Sequence, residues 1–302
     1  MLPPRVAPGD VVRLVSPSAP PTKTGLARCA RLLRSWGLRV EVGEHALDRH
    51  GYLAGTDEDR LSDLNSALSD PRVRAVITTR GGKGGSRIAD RLDFAALRRD
   101  PKPLMGFSDT TILQLAIWRE TGIPSLHGGV ASWNAHRATP ALIESARRAL
   151  TTTDPIVLHA DPTEPTAALT TSGKATGFLM GGNLSLVATG AGWALPDLHG
   201  AILLLEDIGL AVGMIDRLLT LLHRGGSLTG LRGIALGQFT DCPTAGGWTA
   251  VDILRDRLTP LNVPILGGLP TGHGPDTRTV ALGTPTTLDA DNHTLTTAPG
   301  VA

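Results

Sequence analysis

Between residues 11 and 129 short apolar runs alternate with longer stretches whose apolar residues recur at helical spacing. That alternation narrows the possible folds more than any other feature of the chain. Residues 11–15 (VVRLV) read as a buried strand that stops at Ser16-Pro17-Ser18-Ala19-Pro20. Residues 25–36 place Leu26, Ala30, Leu33 and Trp36 on one helical face, with Gly37 as the stop. Residues 38–42 alternate as a strand, and 57–67 form a second amphipathic helix with Leu61, Leu64 and Leu68 on its apolar side. A third strand, 73–79, runs into the glycine-rich loop 80–86 (RGGKGGS), and further strands end near Gly106 and His127. Repeated strand–helix units of this length imply an α/β fold with a mostly parallel sheet flanked by helices. Ligand sites in such sheets lie beyond the carboxyl ends of the strands, where loop 80–86, Ser108 and the His127 loop all fall.

From 151 to 172 the texture turns to Thr, Pro, Asp and Ala with little periodicity, which predicts an exposed linker. Residues 1–150 are therefore expected as an N-terminal α/β domain. Residues 173–302, with an apolar strand at 201–205, a helix at 214–222 and many Gly/Pro turns, are expected as a smaller, β-rich α+β domain.

Composition removes several classes of function. A formal net charge of +1, with the two signs well mixed, gives no field to attract nucleic acid or an anionic membrane. With Tyr52 the only tyrosine, a base-stacking platform is not expected either. Cys29 and Cys242 alone make neither a disulfide framework nor a zinc ligand set. The first ten residues lack a signal-peptide pattern, and no apolar run approaches the ~18 residues of a membrane span, so the expected location is the cytoplasm.

The segment 103–112 (PLMGFSDTTI) is a short apolar run, a glycine, then Ser108 where a helix should begin. Such a turn either exposes a nucleophilic hydroxyl or supplies an ordinary helix N-cap. Position 111 is Thr, so the glutamate or glutamine of a capping box is missing. Loop 80–86 is not a phosphate loop, because Gly84 and not Ser or Thr follows Lys83. Its glycines suit either a close backbone approach to an oxyanion or a plain turn. His127-Gly128-Gly129 reads as a loop histidine. Glu206 and Asp207 follow the 201–205 run, the first suited to a site and the second to a turn. His273, between Gly272 and Gly274, is the best placed of the nine histidines for a general base. Cys242 is a rival nucleophile without an evident basic neighbour.

In this order, Gly106-Phe107-Ser108-Asp109-x-Thr111, Leu205-Glu206-Asp207 and Gly272-His273-Gly274 resemble the LD-carboxypeptidase family of serine peptidases, which includes the microcin C immunity peptidases. The likeness runs almost end to end. It takes in Pro8-Gly9-Asp10, Val15-Ser16-Pro17-Ser18, Arg80-Gly81-Gly82, His127-Gly128, Gly181-Gly182-Asn183-Leu184, Ile215-Asp216-Arg217 and Gly237-x-Phe239-x-x-Cys242. The resemblance implies Ser108 as nucleophile, His273 as base and then acid, and Glu206 orienting the imidazole. It implies an oxyanion hole from the backbone N–H groups of Asp109 and Gly82, a site between two domains, a homodimer and no metal or other cofactor.

Two departures from the family pattern bear on substrate. Lys83 stands where an aromatic is usual, and residues 210–214 (LAVGM) lack the usual glutamate and tyrosine. The reaction implied is hydrolysis of an amide beside a free carboxylate, above all the L,D bond that releases D-Ala from a murein tetrapeptide during cell-wall recycling. Arg80, Lys83 and Arg217 are the cationic partners considered for that carboxylate, and Lys83 would favour a further anionic group. The alternatives are a microcin-immunity-like amidase acting on a peptidyl- or aminoacyl-nucleotide, an acyltransferase, and a non-catalytic ligand-binding homologue.

Overall fold

The structure is a computed structural model and describes residues 1–129 and 139–302. Its first half follows the alternation in the sequence. Strand β1 (Val11–Val15) leads to α1 (Lys23–Ser35), β2 (Arg39–Val42), α2 (Asp57–Ser69), β3 (Val73–Thr78) and α3 (Phe94–Arg99). Then come β4 (Leu104–Gly106), α4 (Thr111–Thr121), β5 (Ser125–His127) and α5 (Pro140–Thr151). The five strands pair in parallel in the order β5-β4-β3-β1-β2. Helix α2 starts as its sequence dictates: Thr56 and Asp59 close a reciprocal capping box, which satisfies two otherwise orphaned N–H groups and is worth about 1 kcal/mol.

Apart from the exposed edge strand β2, both faces of this sheet are buried, as the near-continuous apolar runs of β1, β3, β4 and β5 require. Val11, Val15, Val73 and Val76 pack with Leu64, Leu68, Ile112 and Leu113 on one side. Val12, Leu14, Ala75 and Ile77 pack with Leu26, Leu33, Ala146 and Leu150 on the other.

The second half is built on β6 (Ile156–His159), β7 (Lys174–Asn183), α6 (Leu184–Thr189), β8 (Ala201–Ile208), α7 (Val212–Arg224), β9 (Gly233–Thr240) and α8 (Ala250–Leu258). It closes with β10 (Ile265–Leu266), β11 (Val280–Leu282), β12 (Pro285–Asp289) and β13 (Thr294–Thr297). Seven of these strands form a second sheet in the order β10-β9-β8-β7-β12-β13-β6. Strands β7 to β10 run parallel, with α6, α7 and α8 covering one face, whereas β7, β12, β13 and β6 are antiparallel.

Residues 151–172 are not the exposed linker expected. They contribute β6 to the far edge of the second sheet, and Thr166 and Leu169 are buried. The remaining strand, β11, joins the other sheet, pairing antiparallel with β5. The last residue returns to the first ones, with Arg5 and Ala302 sharing a backbone hydrogen bond of 2.8 Å. Val280 and Leu282 of β11 also pack against Leu179, Ile202 and Leu204 of the second sheet, so one strand ties the two sheets together. The loop between β10 and β11, which carries His273, is thereby delivered to the carboxyl end of β5.

Candidate active site

Ser108 stands at the start of a single 3-10 turn between β4 and α4, with φ of +62°. A left-handed backbone at a residue with a Cβ costs about 1 kcal/mol or more and persists only where its surroundings impose it. Here they do. Gly106 lets the 3-10 turn press onto the sheet, since a Cβ there would lie 2.3 Å from Thr78 Oγ1 and 2.7 Å from Thr110 Cγ2. Ser108 is half-buried, and its hydroxyl caps no helix, which removes the N-cap reading.

Gly81 lies against this serine: a Cβ on it would stand 2.7 Å from Ser108 Cβ and 3.4 Å from the Asp109 nitrogen. Ala19 N–H donates to the Gly81 carbonyl at 3.3 Å, so the N–H of Gly82, opposed to that carbonyl across a trans peptide, points away from Ala19. The Asp109 side chain fixes both neighbouring loops. Its Oδ2 accepts from Ser18 Oγ at 2.5 Å and from the Gly85 N–H at 2.7 Å. Arg60, fully buried, donates to the carbonyls of Pro17 and Gly84 and ties the same loops from behind. Neither role was visible in sequence, because each joins segments more than twenty residues apart.

Glu206 lies inside β8 and not just beyond it. Leu205 pairs with Leu236 and Asp207 with Phe239, so two residues of β9, Gly237 and Gln238, stand opposite the single Glu206. This bulge disrupts the ladder where the carboxylate must turn. Glu206 is fully buried, and its Oε2 lies 2.7 Å from His273 Nδ1. The glycines around His273 are required by that contact. A Cβ on Gly272, whose φ is +125°, would lie 2.8 Å from Glu206 Oε2, and one on Gly274 would lie 2.5 Å from the Gln238 amide. Gln238 also clamps the loop: its Oε1 accepts from the Gly274 N–H at 2.9 Å, and its Nε2 donates to Glu164 at 2.9 Å.

Phe107, next to Ser108, brings the halves together. Its ring centroid is 5.2 Å from that of His273 and 6.3 Å from that of His127. The end of β7 abuts the same point, with the Asn183 N–H donating to Thr111 Oγ1 at 3.2 Å. His127, read from sequence as a loop histidine, is the last residue of β5 and wholly buried. Burial, reinforced by the nearby His273, holds its pKa down at about 3. Its Nδ1 lies 3.3 Å from Gln114 Oε1, and its Nε2 lies 4.0 Å from Glu206 Oε1.

The remaining sequence candidates separate. Asp207 is no turn former: it is buried in β8, where it accepts from Asn183 Nδ2 at 3.0 Å and from the Ser185 N–H at 2.9 Å, capping α6. Its pKa is raised, mainly by burial and then by Glu206. Arg80 and Lys83 are exposed on the loop after β3, Arg80 pointing its guanidinium at the Pro20 carbonyl at 3.4 Å. Arg217 is exposed on α7. Cys242, whose pKa burial raises, lacks the thiolate character of a nucleophile. Among the described residues the one cluster with metal-ligand types is His45, Asp48 and Asp59, and Asp59 is engaged in the capping box of α2. No helix among the described residues is long and apolar enough to cross a membrane.

The sequence profile of the LD-carboxypeptidase N-terminal domain matches residues 12–128, and that of the LD-carboxypeptidase C-terminal domain matches residues 176–288. A putative carboxypeptidase of Streptomyces coelicolor is 39% identical over 97% of this chain and 95% of its own. The murein tetrapeptide carboxypeptidase of Pseudomonas aeruginosa is 33% identical over 93% of each chain. The solved structure of the microcin C7 self-immunity protein in its wild-type apo state superposes with a TM-score of 0.87 at 24% identity, covering 99% of this chain and 98% of that one.

Proposed function

The chain belongs to the LD-carboxypeptidase family, and from that premise we propose that it is a serine hydrolase releasing a terminal D-amino acid from a murein tetrapeptide. The observation that carries this reading is the 2.7 Å contact between buried Glu206 and His273 Nδ1, brought by Phe107 to the turn that displays Ser108. The carboxylate holds the proton on Nδ1 and leaves Nε2 with its lone pair, the form a general base needs. Nε2 takes the Ser108 proton as Oγ attacks the amide carbon. The developing oxyanion is met by the N–H of Asp109, at the opening of α4, and by that of Gly82. His273 then protonates the departing amine, and water releases the acyl group by the same route in reverse. No step calls on a metal or other cofactor.

A substrate ending in a carboxylate needs a cation close to the scissile bond. Arg80 is the first choice, because it immediately precedes the glycine that touches Ser108; Lys83 and Arg217 follow. Cytoplasmic cell-wall recycling as a homodimer completes the reading.

The test incubates the protein with lysine-type and diaminopimelate-type tetrapeptides and with an aminoacyl-nucleotide, using Ser108→Ala as control. Release of D-Ala by the wild type alone is expected, with labelling of Ser108 by a fluorophosphonate. Labelling without D-Ala release would move the substrate to the nucleotide class. Absence of labelling at neutral pH would remove the nucleophile.

A further inference from the structure

Glu206 has two oxygens, and only Oε2 is engaged by His273. Oε1 is buried with no hydrogen-bond partner among the described residues, and so is His127 Nε2, 4.0 Å away. Two orphaned polar atoms facing each other in the buried interior call for an explanation, since each unpaired group costs about 1–3 kcal/mol.

The protonation of His127 follows from its other neighbour. Gln114 Nε2 donates to the carbonyls of Gly106 at 3.0 Å and Leu126 at 2.9 Å. Reversing the amide would aim its oxygen at two carbonyls, so Oε1 is the atom that faces His127, and it can only accept. The His127 proton therefore sits on Nδ1. The titratable groups facing the ring are Glu206 from β8 and His273 from the β10–β11 loop, and burial with His273 favours the neutral form of His127. In a neutral ring with Nδ1–H, Nε2 is a lone pair. The 4.0 Å gap thus separates two acceptors, too far for a direct bond and with no proton to make one.

We infer that His127 is a positioning residue: with Glu206 Oε1 it holds one buried water, which donates a hydrogen to each and so fixes the carboxylate with Oε2 toward His273. A water about 2.8 Å from two acceptors 4.0 Å apart sees them at roughly 90°, near its own bond angle. The chain of contacts then runs from the backbone of β4 and β5 through Gln114, His127 and the water to Glu206 and His273. Glu206 keeps its full charge for the imidazolium that forms during the reaction, which a cationic His127 would have shared. This assignment deepens the triad proposed above and depends on it for its catalytic meaning.

A high-resolution crystal structure and nitrogen-15 NMR of the histidine rings test it in the wild-type protein. The expected results are one ordered water within about 3.2 Å of both atoms and a neutral, Nδ1-protonated His127 from pH 5 to 9. A direct Nε2–Oε1 contact, a doubly protonated ring or dry density between the two atoms would overturn it. Kinetics supply the functional arm. His127→Leu should lower kcat at least about tenfold with KM within about twofold. His127→Gln should recover most of that loss, because its amide oxygen can accept from the same water in place of Nε2. Wild-type kcat in the leucine variant would overturn the positioning role. Should the triad itself fail, fluorophosphonate labelling of Ser108 fails with it, while the water and the tautomer are still read in the wild type.

Discussion

Ser108 is displayed by a single stretch of chain, from β4 through the first turn of α4, whereas Glu206 and His273 meet through β8, the bulge in β9 and the loop after β10. The serine half stores its cost in one backbone angle, a φ of +62° imposed by the tight fit of Gly106 and Gly81. The histidine half has no strained backbone at Glu206 or His273; it uses glycines to admit a carboxylate and an imidazole into a space otherwise closed. One half is limited by conformation and the other by room. Substitutions should therefore fail differently on the two sides.

The largest effect belongs to the serine. Ser108→Ala should lower kcat by about 10⁶-fold, the scale at which loss of a nucleophile leaves only binding and the oxyanion hole. Ser108→Gly should be equally inactive yet more stable by about 1 kcal/mol, since glycine adopts that φ without strain. Urea unfolding of the pair would show it, and equal midpoints would mean that the turn is not strained. Next comes Glu206→Gln, which keeps the shape but lets the imidazole take the wrong tautomer, for a loss near 10⁴-fold in kcat. A loss below tenfold would separate the carboxylate from the mechanism.

Gly272→Ala attacks the room and leaves the side chains of Ser108, Glu206 and His273 chemically unchanged. Its methyl would meet Glu206 Oε2 at 2.8 Å on a backbone of φ +125°, so the carboxylate or the His273 loop must move. A displacement of this size should reduce kcat by about 10²-fold with fluorophosphonate labelling slowed in parallel. Wild-type labelling rates would show that the loop adapts and that the histidine half is less confined than its packing indicates.

The same contrast explains what the sequence made legible. Strand–helix periodicity and the Gly106–Ser108 turn are local, so the first sheet and the candidate nucleophile could be read directly. Glu206 and His273 gained a joint role only through the order of motifs in a family, because the contact that joins them spans 67 residues of sequence. Gln114, His127, Gln238 and the Asp109 carboxylate act through partners that no spacing rule reaches. Strand β6 escaped notice for a related reason: it has four residues, only Leu158 among them is buried, and its pairing partner lies near the chain's end.

His127 gives the finest probe of the comparison, because its burial affects stability even where catalysis is not measured. Its folded pKa is about 3 against 6.5 for an unperturbed histidine, so between those values the unfolded chain binds the additional proton. The corresponding stabilisation is fully present above pH 6.5 and is lost as pH falls toward 3, at about 1.4 kcal/mol per pH unit. Urea midpoints at pH 7, 6 and 5 should therefore drop more steeply for the wild type than for His127→Gln, which has no proton to bind there. Were His127 an imidazolium paired with Glu206, its folded pKa would lie above 6.5 and the sign would reverse, with the wild type gaining on the variant as pH falls. Parallel curves would mean that the ring titrates alike in both states. The slope thus decides whether the histidine half contains one working imidazole and one silent one, or two that share a charge.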